Sequence, residues 1–223
     1  MRGPSDTVGD SCEPLFLVHS ASWWASAPAG VGGEFDPGRC GRRREERLEA
    51  PVTGSKLGAE KGTLLMMTGG RRETHDELLP VMMVFGSKAI YCGPMGSASF
   101  VKLLGNTYIS FMLEALAETS VLATKASIPL ETVLEVVMAS GFASPYYTFK
   151  GGALIKRDFD QHFSIDLLVK DQNLMLQEAT ALGASMPGLV AIRDVCQQAR
   201  DQGLGQDDII GVAKVLERAA GIQ

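Results

Sequence analysis

The sequence predicts an α/β segment followed by an all-helical domain: the closing part of one domain joined to a bundle built on a single long buried helix. Two observations carry that prediction. From Ser97 to about Ala126 the chain runs without a proline and with one glycine. Apolar residues fall in almost every direction around that run, at Phe100, Val101, Leu103, Leu104, Tyr108, Ile109, Phe111, Met112, Leu113, Leu116, Val121 and Leu122. A helix that apolar is normally a buried central element. Before it, between Arg47 and Gly93, short apolar runs alternate with turn formers in the order strand, turn, strand, helix, strand, which is the texture of the end of an α/β domain.

Three segments follow, at 1–46, 47–93 and 94–223. Residues 1–46 are rich in Gly, Pro, Ser, Ala and Arg and keep neither a period of 2 nor one of 3.6. They read as a disordered or unrelated leader. Leu48 to Val52 is a strand before a Thr53-Gly54 turn, and Thr63 to Thr68 is a second strand ending in Gly69-Gly70. A short helix from about Glu73 to Val84 and a last strand from Lys88 to Tyr91 complete the segment. After the long helix, Pro129 opens a second one that Gly141 stops, since proline suits a first turn and glycine an end. Further helices are expected over Ile165–Leu182 with Gly183 as cap, over Pro187–Asp201, and over Asp207–Ala220.

Composition narrows the function classes. The 223 residues are 45% hydrophobic and 21% charged, ordinary for a soluble globular protein. A net charge of −5 argues against nucleic acid and against an anionic membrane as partner, because both reward a basic face. Cys12, Cys40, Cys92 and Cys196 form no CxxC pair, and His19, His75 and His162 make no metal motif, so reduced thiols and no metal are expected. No apolar run approaches the roughly 20 residues of a membrane span. The expected location is cytoplasm or an organelle matrix rather than outside the cell.

Chemistry centres on the long helix. Lys102 and Asn106 stand four residues apart, so they project from one face about 40° apart, and Ser110 continues the stripe. A lysine among Phe100, Val101, Leu103 and Leu104 has two readings. It is a snorkelling side chain at a helix edge, or a desolvated amine whose pKa falls toward neutrality and suits proton transfer at an alcohol. Periodicity does not choose between them.

The surrounding residues do. Gly93-Pro94-Met95-Gly96-Ser97-Ala98-Ser99-Phe100-Val101-Lys102, followed by Asn106, resembles the stretch that opens the helical domain of the β-hydroxyacid dehydrogenase family. Glu49-Ala50-Pro51-Val52-Thr53-Gly54-Ser55, with Gly62-Thr63-Leu64 and Gly69-Gly70 after it, resembles that family's substrate-binding segment. Asp158-Phe159, Phe163, Leu168 and Lys170-Asp171 resemble the segment that touches its cofactor. The resemblance covers about four-fifths of the chain, from about residue 47 onward. Two substitutions depart from the commoner pattern: Ala98 stands in place of Gly, and Thr53 in place of Ser.

The resemblance implies the end of a Rossmann-type NAD(P)-binding domain at 47–93 and an all-helical substrate and dimerisation domain at 94–223. It implies NAD or NADP as cofactor, and as substrate a small carboxylate-bearing alcohol or aldehyde. Lys102 would take or give the hydroxyl proton. Asn106 would hydrogen-bond the substrate or hold the lysine in place, while Thr53, Gly54 and Ser55 would grip the carboxylate. Lys170, Asp171 and Phe163 would lie at the cofactor. Ser55-Lys56 tilts the resemblance toward the glyoxylate/succinic semialdehyde reductase branch. The pattern breaks in one respect: the sequence contains no GxGxxG loop, the element that seats a pyrophosphate on helix N–H groups. A truncated product is therefore expected. Two functions remain open: an oxidoreductase, or a non-catalytic helical module that oligomerises through its apolar helices with an intact relative. In the second, the strands would present unpaired edges and limit solubility.

Overall fold

The computed structural model describes residues 47–222. The predicted leader, with Trp23-Trp24, Cys12, Cys40 and His19, lies outside the described residues.

The first part is a small mixed sheet. Strand β3 (Leu64–Gly70) is central and pairs on one side, in parallel, with β4 (Gly86–Gly93). On its other side lie β1 (Leu48–Glu49) and β2 (Val52–Thr53), both antiparallel to β3. The single strand expected over Leu48–Val52 is split at Ala50-Pro51. Proline has no N–H to give to a ladder, yet the line continues because Met67 N donates to Pro51 O at 2.9 Å. Helix α1 (Ser55–Glu60) follows β2 and was not expected from the sequence. Helix α2 (Arg72–Phe85) makes the crossover from β3 to β4 with Pro80 inside it, as a parallel pair requires. Beneath it Thr68 Oγ1 lies 2.7 Å from the buried His75 Nδ1 and donates to Ile90 O.

The second part is helical. Helix α3 (Ser97–Lys125) matches the predicted long helix almost to the residue. Its buried residues include Asn106, Ser110, Leu113, Ala117 and Ser120. Steps of four and three place these along one line of the helix, where several small side chains admit close neighbours. The opposite stripe, Val101, Leu104, Tyr108, Phe111 and Leu122, is exposed. Helix α4 (Leu130–Ala139) has Pro129 at its N-cap.

Helix α5 (Pro145–Lys156) was not expected either, because Gly151-Gly152 interrupts the pattern. Its start is nevertheless regular: Ser144 Oγ accepts from Tyr146 N and Pro145 takes the first turn. Gly151 lies tightly against α4, since a Cβ there would sit 2.6 Å from Leu134 Cδ1.

Helices α6 (Ile165–Ala181) and α7 (Pro187–Asp201) fall where predicted. The last expected helix resolves into a 3-10 turn (Ile209–Val212) and α8 (Ala213–Ala219). Leu113 and Leu116 of α3 meet Leu154, Ile165, Leu168, Ile192, Ile209, Ile210 and Val215 in one apolar core. No helix among the described residues is long and apolar enough to cross a membrane.

Candidate active site

Lys102 stands in the second turn of α3, beyond the Gly93–Gly96 turn. That turn bends sharply because Gly93 and Gly96 take φ of 133° and 96°, a region that favours glycine. Lys102 is half-buried. Burial pulls its ammonium below the ordinary lysine range, and the Asp171 carboxylate opposes that pull.

Asp171 gathers the other residues. It is buried on α6, where its Oδ2 accepts from Asn106 Nδ2 at 2.6 Å and its Oδ1 lies 3.0 Å from Lys170 Nζ. Asn106 and Lys170, chosen from separate stretches of sequence, thus meet on the Asp171 carboxylate, whose charge also acts on Lys102. One turn further along α3, Ser110 Oγ donates to Asn106 O and accepts from Gln172 Nε2 at 3.1 Å. Two polar links therefore lock α3 to α6 side by side, and such links are strong where water is excluded. Gln172 carried no signal in the sequence, since a lone glutamine in a helix is ordinarily solvent-facing.

The other expected residues lie apart. Thr53 ends β2, and Gly54 (φ 134°) and Ser55 (φ 57°) make the turn into α1. No hydrogen bond among the described residues joins these three to Lys102. Ser55 holds a left-handed conformation that a non-glycine residue adopts at a cost of about 1–2 kcal/mol. Ser127 and Arg157, the other described non-glycine residues with positive φ, follow helix ends, so the strain at Ser55 is set apart by its place at the start of α1. Phe163 packs against the helical core; its N–H donates to Asp208 Oδ2 at 3.2 Å and its carbonyl accepts from Ile209 N. Two cavities of about 350 Å³ open between α6 and α7. One is lined by Lys170, Asn173, Leu174, Gln177 and Arg200, and neither is lined by Lys102. Among the described residues no cluster of His, Cys, Asp and Glu could hold a metal ion.

Residues 96–216, more than half of the chain, match the family described as NAD-binding of NADP-dependent 3-hydroxyisobutyrate dehydrogenase. The chain belongs to the β-hydroxyacid dehydrogenase family. Residues 39–93 match the NAD binding domain of 6-phosphogluconate dehydrogenase. Among β-hydroxyacid dehydrogenase relatives, glyoxylate/succinic semialdehyde reductase 2, chloroplastic, of Arabidopsis thaliana is 30% identical over 77% of this chain and 48% of its own length. The 3-sulfolactaldehyde reductase of Escherichia coli K12 is 32% identical over 78% of this chain and 59% of its own. A crystal structure of 3-hydroxyisobutyrate dehydrogenase from Salmonella typhimurium superposes with a TM-score of 0.70 at 26% identity, over 76% of this chain and 60% of that one. The chain thus spans about half to three-fifths of the length of such relatives. The descriptions of the matched families imply NAD or NADP as the cofactor class by resemblance.

Proposed function

We propose that this chain supplies the proton-transfer and substrate-orienting part of an NAD(P)-dependent oxidoreductase acting on small β-hydroxyacids or the matching semialdehydes. The observation that carries the reading is the half-buried Lys102, its ammonium disfavoured by burial and partly restored by the charge of Asp171, the carboxylate that Asn106 and Lys170 engage. A neutral amine accepts the hydroxyl proton during oxidation and returns it during reduction, and it does so best when its pKa lies near the working pH. Bound NAD(P) supplies the hydride exchange. Lys170 lines a cavity of about 350 Å³, which supports a cofactor-contact role for it; Asp171 and Phe163 are read as cofactor residues with it. Asn106 is spent on Asp171, which favours its holding the lysine's surroundings over its touching substrate. Thr53, Gly54 and the strained Ser55 form a hydroxyl-bearing turn suited to a carboxylate. The names of two plant relatives, glyoxylate/succinic semialdehyde reductases 1 and 2, favour a glyoxylate-like or semialdehyde substrate. The segments 47–93 and 94–223 are read as the nucleotide-side and substrate-side domains.

A second reading rests on the exposed apolar stripe Val101, Leu104, Tyr108, Phe111 and Leu122 of α3, which suits pairing with another copy. One experiment separates the two. The full chain is mixed with NADPH or NADH, fluorescence reads binding, and glyoxylate and succinic semialdehyde are offered as substrates. Binding with turnover is expected, and Lys102→Met should cut kcat at least ~100-fold while binding stays unchanged. No nucleotide binding by the folded chain, together with a dimer that Tyr108→Glu splits in sedimentation, would establish the second reading in its place.

A further inference from the structure

Helix α3 opens on Gly96, which has no side chain with which to cap it. The first N–H groups of a helix have no partner inside the helix, and its N-terminus carries a partial positive charge. Here the missing acceptor comes from about fifty residues earlier in the chain. Glu49 of β1 accepts from Ala98 N at 2.8 Å through Oε1 and from Ser99 Oγ at 2.6 Å through Oε2. Both carboxylate oxygens are therefore engaged with the first turn of α3. The sheet leaves room for this. Glu49 stands opposite Gly69 in the ladder, and a Cβ on Gly69 would lie 2.2 Å from Glu49 Oε1 and 2.9 Å from Pro94 O.

The position of this contact gives it a second consequence. Lys102 follows Ser99 by three residues, about 4.5 Å along the helix axis. Thr53 follows Glu49 by four residues, about 13 Å along an extended chain. One side chain thus ties the strand that leads to the Thr53 turn to the helix turn that leads to Lys102, and no other described hydrogen bond joins β1 or β2 to α3. We propose that Glu49 is a positioning residue, a strut that sets Lys102 relative to the Thr53 turn. This rests on the reading of Lys102 as the acid/base group. Reacting groups lose about 100-fold in rate for a misplacement near 1 Å, so a strut at this point acts on rate more than on affinity.

The test compares Glu49→Ala, Glu49→Gln and the unaltered full chain, at a temperature where circular dichroism shows all three folded. Glutamine keeps an acceptor for Ala98 N, and its Nε2 can donate to Ser99 Oγ; alanine keeps neither. The first readout is trace acetylation of Lys102, scored by mass spectrometry against Lys125 at the other end of the same helix. It should rise several-fold in Glu49→Ala and return close to the unaltered value in Glu49→Gln. The second readout is steady-state turnover with NADPH and a semialdehyde. Glu49→Ala should lose on the order of 10–100-fold in kcat with little change in KM, and Glu49→Gln should recover most of it. Unchanged Lys102 acetylation in Glu49→Ala, or loss of Tm with kcat intact, reduces Glu49 to a plain helix cap and overturns the proposal. Absence of turnover in the unaltered chain, with acetylation responding as described, removes the enzymatic reading and leaves the strut standing.

Discussion

The two halves of this molecule are held together by different means. In the helical half, Leu113, Leu168, Val169, Cys196, Ile210 and Val212 are fully enclosed, and the packing is side chain against side chain. In the sheet half, backbone approaches backbone at glycines, while Val84 and Phe85 at the end of α2 stay exposed. A side-chain core tolerates small adjustments by changing rotamers, whereas two carbonyl-lined backbones in contact cannot. The candidate site draws on both: Lys102, Asn106 and Asp171 from the repackable half, and the Thr53 turn from the rigid one.

The largest expected effect lies in the helical half. Lys150 is buried and its Nζ lies 2.6 Å from Asp208 Oδ1, while Asp208 also accepts from the N–H groups of His162, Phe163 and Ile210. Lys150→Met leaves that carboxylate buried without its cation and should cost about 3–5 kcal/mol in urea unfolding. Breaking the exposed Arg72–Asp76 pair of the sheet half (3.1 Å) by Arg72→Ala should cost under about 1 kcal/mol. Equal losses would erase the distinction between the halves.

Glycine replacements come next. Gly86→Ala in β4 would put a Cβ 2.2 Å from Leu64 O and should destabilise by about 1–3 kcal/mol. Gly152→Ala in α5 meets nothing within 4 Å and should stabilise by about 0.5–1 kcal/mol through helix propensity. Melting temperatures of the two variants, moving in opposite directions, would sharpen the contrast.

A further effect is a matter of pH. Burial, with Glu118 adding repulsion, pushes the Glu114 carboxyl from 4.5 up to about 7, and its Oε2 is enclosed without a hydrogen-bond partner among the described residues. The folded state therefore holds this proton more tightly than the unfolded chain. The stabilisation is complete below about pH 4.5 and is lost as pH rises through about 7. Glu114→Gln should flatten the decline of Tm between about pH 5 and about pH 8; a decline of unchanged slope would assign it to another group.

Much of this was legible in the chain. The caps and breakers around α3, α6 and α7 placed those helices within a residue or two, because helix ends obey local rules. Helix α5 was hidden by Gly151-Gly152, of which Gly151 makes room for Leu134 on a neighbouring helix, and α1 is too short to show a period. The residues of the candidate site were legible through motif alone. Asn106 on Asp171 was not, nor was Gln172 on Ser110, because each hydrogen bond spans more than sixty residues of sequence.

The sequence by itself determined the order of elements apart from α1 and α5, the long central helix, the family and the candidate residues. These follow from periodicity, turn chemistry and motif, all of which act over a few neighbours. Tertiary structure alone decided that Asp171 gathers Asn106 and Lys170 beside Lys102, that burial lowers the lysine's hold on its proton, and that Glu49 anchors the helix that carries it. Those outcomes depend on which distant groups share a volume from which water is excluded. That is a property of packing, and no local stretch of sequence encodes it.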